Sequence, residues 1–205
     1  MARSLTKKEK LYTDEKAQER VAKVGFKVAS VSDRQTVRYE FNILDNKELN
    51  AVSLPGGFIY INKGLLDKLN DDELAFVLGH EVGHVAAKHA VKKIQASMAF
   101  DILMNVALNA TPAGQFSGAA SIAQATGTAY NLISLGYSRK DEYFADKLGV
   151  TYAHKAGFSS DGAISALEKI KKEETGGNKL LTYLRTHPYV DDRIKAMRKN
   201  IAEVL

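Results

Sequence analysis

Three residues stand in the spacing H-E-x-x-H: His80, Glu81 and His84, within His80-Glu81-Val82-Gly83-His84. Residues four apart differ by about 40° around an α-helix, so both imidazoles leave one face and can reach one ion. The carboxylate one position after the first histidine projects about 100° away, where it can take a proton from water held on that ion. The chemistry open to such a trio is metal-assisted hydrolysis. The chain contains no cysteine. That removes thiolate ligands, a thiol nucleophile and any disulfide framework, so a transition-metal site here must use histidine and carboxylate.

A catalytic zinc requires a third protein ligand beside an open position. A longer histidine motif on the same helix would need glycine three residues after His84 and histidine three beyond that. Ala87 and Ala90 occupy those places, and His89 is one position off the required face. A carboxylate from a second helix is the other route. Glu142 and Asp146, in Glu142-Tyr143-Phe144-Ala145-Asp146, share a helical face, so Glu142 can ligate while Asp146 orients a ligand histidine. Acidic residues also favour a helix start for its macrodipole alone, which accounts for Asp141 and Glu142. It does not account for Asp146 set among Phe144, Ala145 and Leu148.

These residues need helices to carry them, and the punctuation predicts the helices. Asn70 followed by Glu73 is a capping-box start, Asp71 and Asp72 suit the positive end, and an apolar face runs from Leu74 to Ala86 with Lys88, Lys92 and Lys93 toward the end. Ser138 with Asp141 opens the helix carrying Glu142, which stops at Gly157. An earlier helix covers about 13–30, capped by Thr13 or Asp14. Val37, Tyr39, Phe41 and Ile43 alternate as in a half-buried strand, and short strands Ala51–Leu54 and Phe58–Ile61 flank Pro55-Gly56-Gly57. Residues 96–136, rich in Ala, Gly, Ser and Thr, predict a helix, a turn around Thr111-Pro112-Ala113-Gly114 and a second helix. Further helices cover 161–173 and 190–203.

Four stretches in this order resemble a known family, the gluzincin zinc metallopeptidases of the type 1 CAAX prenyl protease and HtpX-like kind, with its soluble BepA-like subgroup. They are Asn50-Ala51 with Leu54-Pro55-Gly56-Gly57-Phe58-Ile59-Tyr60, the His80–His84 motif, Glu142–Asp146, and Thr186-His187-Pro188 followed by Arg193-Ile194. The resemblance spans roughly residues 40–200. It implies an α+β, zincin-like fold, mostly helical, with a small mixed β-sheet whose edge strand borders the cleft. It implies one Zn²⁺ per chain on His80, His84 and Glu142, with Glu81 as the proton acceptor. It also places His187 near the metal, either donating to the oxyanion or, in a closed form, binding zinc itself. Arg193 is then expected to hold the Asp146 region or cap the cleft. Several relatives carry transmembrane helices between the zinc-binding helices. Residues 96–136 are too polar and Gly-rich for that, which favours the soluble subgroup and makes them a candidate lid or hairpin.

The expected substrate is a polypeptide, bound as an extended segment beside an edge strand near Gly57–Ile61. Gly56, Gly57, Phe58, Ile59 and Tyr60 then line the contact, the glycines letting the substrate backbone approach. Backbone pairing accepts many sequences, so unfolded chains and a place in protein quality control are expected; the alternative is a zinc-binding chaperone or assembly factor with suppressed proteolysis. The chain predicts a single domain over 1–205, sheet-containing at about 30–69 and helical over 70–205. Its net charge of +5 does not predict nucleic-acid binding, because the basic residues sit beside acids, as in Lys7-Lys8-Glu9-Lys10, and form no stripe interleaved with aromatics. No apolar run reaches the ~18 residues of a membrane span. The nearest, Ala96–Ala110, is interrupted by Asp101 and Asn105, leaving peripheral membrane association as the possibility to test. The first residues lack a signal-peptide core, which leaves the cytoplasm or a removed signal; the resemblance to the BepA-like periplasmic subgroup implies the latter, a periplasmic or extracytoplasmic protein, with the cytoplasm as alternative. His89 and His154 are expected at the surface, and Tyr60, Tyr137 and Tyr143 in packing roles.

Overall fold

The computed structural model describes residues 9–109, 135–175 and 183–204. Helix α1, Glu15–Ser30, starts where the Asp14 side chain accepts the Ala17 amide at 2.8 Å. Its Val21, Val24 and Val28 fall at helical spacing and are buried. Strands β1 (Glu40–Leu44), β2 (Ala51–Leu54) and β3 (Phe58–Asn62) form a sheet of order β1-β3-β2, with β1 parallel and β2 antiparallel to β3. The strand starts at Glu40, three residues into the Val37–Ile43 alternation; Tyr39, Phe41 and Ile43 nonetheless point inward.

The sheet corrects one expectation. Phe58–Ile61 is the central strand, paired with Glu40–Ile43 on one side and Ala51–Leu54 on the other. Its backbone is already committed, so Phe58, Ile59 and Tyr60 cannot hold a substrate by strand addition. Gly56 and Gly57 do form the turn, both at positive φ. A Cβ on Gly57 would lie 2.6 Å from Val37 Cγ1 and 2.8 Å from Arg38 O, so its bareness admits the chain's own backbone rather than a ligand. Alternation reveals which face of a strand is buried, not which strand lies beside which. Of the two edge strands, β1 packs on α1, and β2 lies toward the helix that follows at Asp71–Ala86.

After the single turn α2 (Lys63–Leu66) comes α3, Asp71–Ala86. Asn70 and Glu73 make the reciprocal capping box, each side chain accepting the other's amide at 2.8–2.9 Å. Every residue from Glu73 to Val85 is buried, so α3 is a central helix enclosed on all sides rather than an amphipathic one. It ends at Ala86 instead of running through the lysines: Lys88 turns the chain at φ 59° and a new helix, α4 (His89–Asn109), begins. The lysines need water that α3's enclosed axis does not reach, and Lys88 and Lys92 lie exposed. The second helix and turn expected within 96–136, and the possible lid, fall outside the described residues beyond Asn109.

The remaining helices are α5 (Arg139–Lys155), α6 (Asp161–Thr175), the short α7 (Tyr183–Thr186) and α8 (Val190–Val204). Helices α3 and α5 cross almost backbone to backbone. A Cβ on Gly79 would meet Gly149 O at 2.9 Å, and one on Gly149 would meet His80 N at 2.9 Å. That close crossing brings His80 and His84 on α3 against Glu142 and Asp146 on α5. The result is a mostly helical α+β fold of zincin type, with the small mixed sheet beside the central helix. Among the described residues, no helix is long and apolar enough to cross a membrane.

Candidate metal centre

His80 and His84 leave one face of α3 and Glu142 comes from the first turn of α5, whose N-cap Ser138 accepts the Asp141 amide at 3.2 Å. His187 enters from the loop after α7, where its amide bonds Tyr183 O at 2.6 Å. One ligand-type atom from each of these four residues lies within 4.8 Å of the others, and all four residues are buried. Four of the contacts among them are short. His80 Nε2 stands 3.0 Å from His84 Nε2 and 3.2 Å from His187 Nδ1. Glu142 Oε1 stands 3.2 Å from His187 Nδ1 and 3.5 Å from His84 Nε2.

Four donors around a tetrahedral ion with bonds of ~2.0–2.1 Å would be about 3.3 Å apart, which these four contacts approach. Protonation logic agrees. His80 Nδ1 lies 2.9 Å from Asp146 Oδ1, so it carries the proton and leaves Nε2 as a bare lone pair facing the cluster. Three imidazoles and a carboxylate converge with few hydrogens to share; both Glu81 oxygens are buried without a hydrogen bond, and Glu142 Oε2 has its ion pair with Arg193 in place of one. Such a set fits a cation; without one, the buried lone pairs face each other.

The surroundings set the charges. Burial, then the neighbouring His84, pushes the His80 pKa down to about 4, favouring the neutral imidazole. Burial would raise Glu142, but the charges of His187 and Arg193 outweigh it and hold the carboxyl well below its ordinary value. Asp146 follows the same pattern, with Arg193 overcoming burial. Arg193 has no exposed surface; it donates to both Asp146 oxygens at 2.7 and 2.8 Å and to His187 O at 3.2 Å, with Nη1 3.1 Å from Glu142 Oε2. Of the two roles expected for Arg193, the structure therefore places it at Asp146. Burial disfavours charge on His187, yet Glu142 and Glu81 raise its pKa overall. Its Nε2 lies 3.3 Å from Glu81 Oε1 and 3.4 Å from Ala51 O on β2.

Gly56, Gly57, Phe58 and Ile59 lie outside this cluster, and Tyr60 packs with Val52 and Leu54 in a small apolar group, as expected of a packing residue. His154 is exposed, as expected. His89 is not: it is buried, with Nδ1 2.8 Å from His84 Nδ1. A residue five positions after His84 points to another face of a continuous helix; only the break at Lys88 swings it back, and no local signal announces that break. Tyr137 stacks on His84, ring centroids 4.1 Å apart and 21° from parallel, its hydroxyl buried without a partner. The helix crossing does have a sequence signal: Gly79 and Gly83 on α3, and Ala145 and Gly149 on α5, are small residues four apart.

Comparison with known proteins agrees with this geometry. The family model described as Peptidase family M48 matches residues 15–201, from α1 into α8. Metalloprotease YcaL of Escherichia coli strain K12 is 30% identical over 186 residues, 89% of this chain and 69% of that protein. Mitochondrial metalloendopeptidase OMA1 of Schizosaccharomyces pombe is 28% identical over 188 residues, 89% of this chain and 52% of its own length. The beta-barrel assembly-enhancing protease of E. coli K12 is 24% identical over 181 residues, 85% of this chain and 37% of its own. The chain thus spans about two thirds, half and a third of these relatives. With the match covering nearly the whole chain and four ligand-type side chains gathered between the helices it spans, the chain belongs to Peptidase family M48, a family of metalloproteases.

Proposed function

We propose that this protein is a zinc-dependent endopeptidase that cleaves extended or unfolded polypeptide segments, serving protein quality control. The observation that carries the reading is the buried cluster of His80, His84, Glu142 and His187, with the Glu81 carboxylate beside it, buried without a hydrogen bond and 3.3 Å from His187 Nε2. His80, His84 and Glu142 would hold the ion. A zinc ion bound there supplies Lewis-acid polarisation of a carbonyl and lowers the pKa of coordinated water from ~15.7 toward ~7. Glu81 takes the proton of the attacking water and hands it to the departing amine. Asp146, clamped by Arg193, fixes His80 with its proton on Nδ1.

Edge strand β2 is the place for an extended substrate. The Asn50 and Leu54 carbonyls accept from Asn62 and Gly57. By the alternation of an antiparallel ladder, the backbone groups of Ala51 and Ser53 then face outward. Ala51 O meets His187 Nε2. His187 therefore spans both the donor cluster and the strand edge, and it must withdraw before substrate binds. This supports a latent resting form, and it is also the one observation favouring a chaperone or assembly factor with suppressed proteolysis.

The test is zinc-dependent cleavage of unfolded casein by the parent and by Glu81→Gln. The parent should cleave and lose activity to a chelator, and the variant should keep its zinc while losing at least ~10²-fold in rate. Equal rates in the two proteins would place the activity elsewhere. Met98, Phe100, Ile102 and Leu103 of α4 are more than half exposed, which supports peripheral contact with a membrane or membrane complex. Vesicle flotation of the parent against a variant with serine at these four positions tests that contact.

A further inference from the structure

We propose that His89 is a positioning residue of the metal centre: it accepts the Nδ1 proton of His84 and so fixes Nε2 of His84 as the bare nitrogen that faces the donor cluster. This rests on the zinc reading above and adds a residue to it. The contact is direct, with His84 Nδ1 and His89 Nδ1 2.8 Å apart. Two ring nitrogens at that distance share one proton. If His89 donated it, His84 would carry its own proton on Nε2, aimed at His80 Nε2 3.0 Å away and unable to ligate. The donor must be His84, and His89 Nδ1 must be bare.

Neutral His89 then has its proton on Nε2, and that nitrogen faces Asp141 Oδ1 at 3.4 Å. Asp141 is itself fixed, because its Oδ2 accepts the Ser138 hydroxyl at 2.7 Å at the cap of α5. A line of groups thus runs from the start of α5 through Asp141 and His89 to His84. The two histidines of the motif are served differently. His80 gives its Nδ1 proton to a carboxylate clamped by arginine, whereas His84 gives it to an imidazole. Tyr137 covers the face of the His84 ring, leaving the His89 contact to set rotation within the ring plane. The turn at Lys88 exists in the right place for this: it takes His89 off the axis of α3 and returns its ring to His84, centroids 5.0 Å apart.

The geometry distinguishes two polar replacements. An asparagine side chain puts its amide oxygen where histidine has Nδ1, while glutamine puts its amide near the Nε2 position. The experiment measures zinc affinity by competition with a chromophoric chelator for the parent, His89→Asn, His89→Gln and His89→Leu. It adds visible spectra of the cobalt-substituted proteins and metal-free thermal melts. Loss of an outer partner of a ligand histidine weakens metal binding by roughly 10- to 100-fold, so Gln and Leu should fall in that range and Asn should stay within about threefold of the parent. The cobalt bands should move in Gln and Leu and keep the parental pattern in Asn, with metal-free melts of Asn and Gln alike. Should Leu fail to fold, the Asn and Gln pair decides alone. Asn losing as much as Gln, or Gln keeping parental affinity, overturns the role of His89 while leaving the metal centre standing. A parent that binds no zinc overturns both.

Discussion

Replacing Arg193 with methionine keeps a long unbranched side chain in a site without exposed surface and removes only the guanidinium. That group gives two hydrogen bonds to Asp146 and one to the His187 carbonyl, and it sits 3.1 Å from Glu142. The variant leaves two buried carboxylates without their cation. Removing one partner of a buried pair costs about 3–5 kcal/mol, because the other charge remains uncompensated. Natural domains have about 5–15 kcal/mol in total, so the metal-free variant should be marginal. For a chain of this length each kcal/mol is worth about 2–4 °C, giving a fall in Tm of roughly 6–20 °C by circular dichroism. Adding Asp146→Leu should recover part of the loss, since deleting both partners leaves one fewer stranded charge. A fall under about 3 °C, or a double variant that loses the sum of the two single losses, would refute the reasoning that Arg193 neutralises this cluster.

Glu142→Ala should abolish stoichiometric zinc by elemental analysis, and full retention would remove Glu142 from the donor set. His187→Ala should raise casein turnover with zinc retained, because it clears the edge of β2; a fall of about 10²–10³-fold would instead make His187 an oxyanion donor. Gly149→Val should cost upwards of about 1–3 kcal/mol and weaken zinc together, since its side chain meets His80 N and forces α3 from α5; unchanged affinity would show that the crossing distance does not set the site. Glu73 is buried, but Lys169, Ser165 and the Asn70 amide bond its carboxylate and lower its pKa below the ordinary value. Its contribution is therefore present above the unfolded pKa of ~4.3 and lost as pH falls through the folded value. Melts from pH 6 to pH 3 should show the parent's advantage over Glu73→Gln shrinking as acid is added, and a constant gap would contradict this sign.

The sequence by itself determined the elements that begin and end on local chemistry, and the pair of histidines whose spacing is local too. Asn70 with Glu73, Ser138 with Asp141, and the turn at Gly56-Gly57 each act within a few residues, so their positions are visible without the fold. Periodicity gave the shared face of His80 and His84 and of Glu142 and Asp146, because residues four apart on one helix meet whatever the helix packs on. Tertiary structure decided everything that joins separate segments. It made β3 the central strand and β2 the edge, since alternation records burial and not neighbours. It put His187 between Glu81, Glu142 and Ala51, over a hundred residues from β2 in the chain. It turned His89 back onto His84 through a break at Lys88 that carries no glycine or proline to mark it. Contacts of this kind are properties of how α3, α5 and the sheet edge are arranged in space, and no stretch of chain contains them.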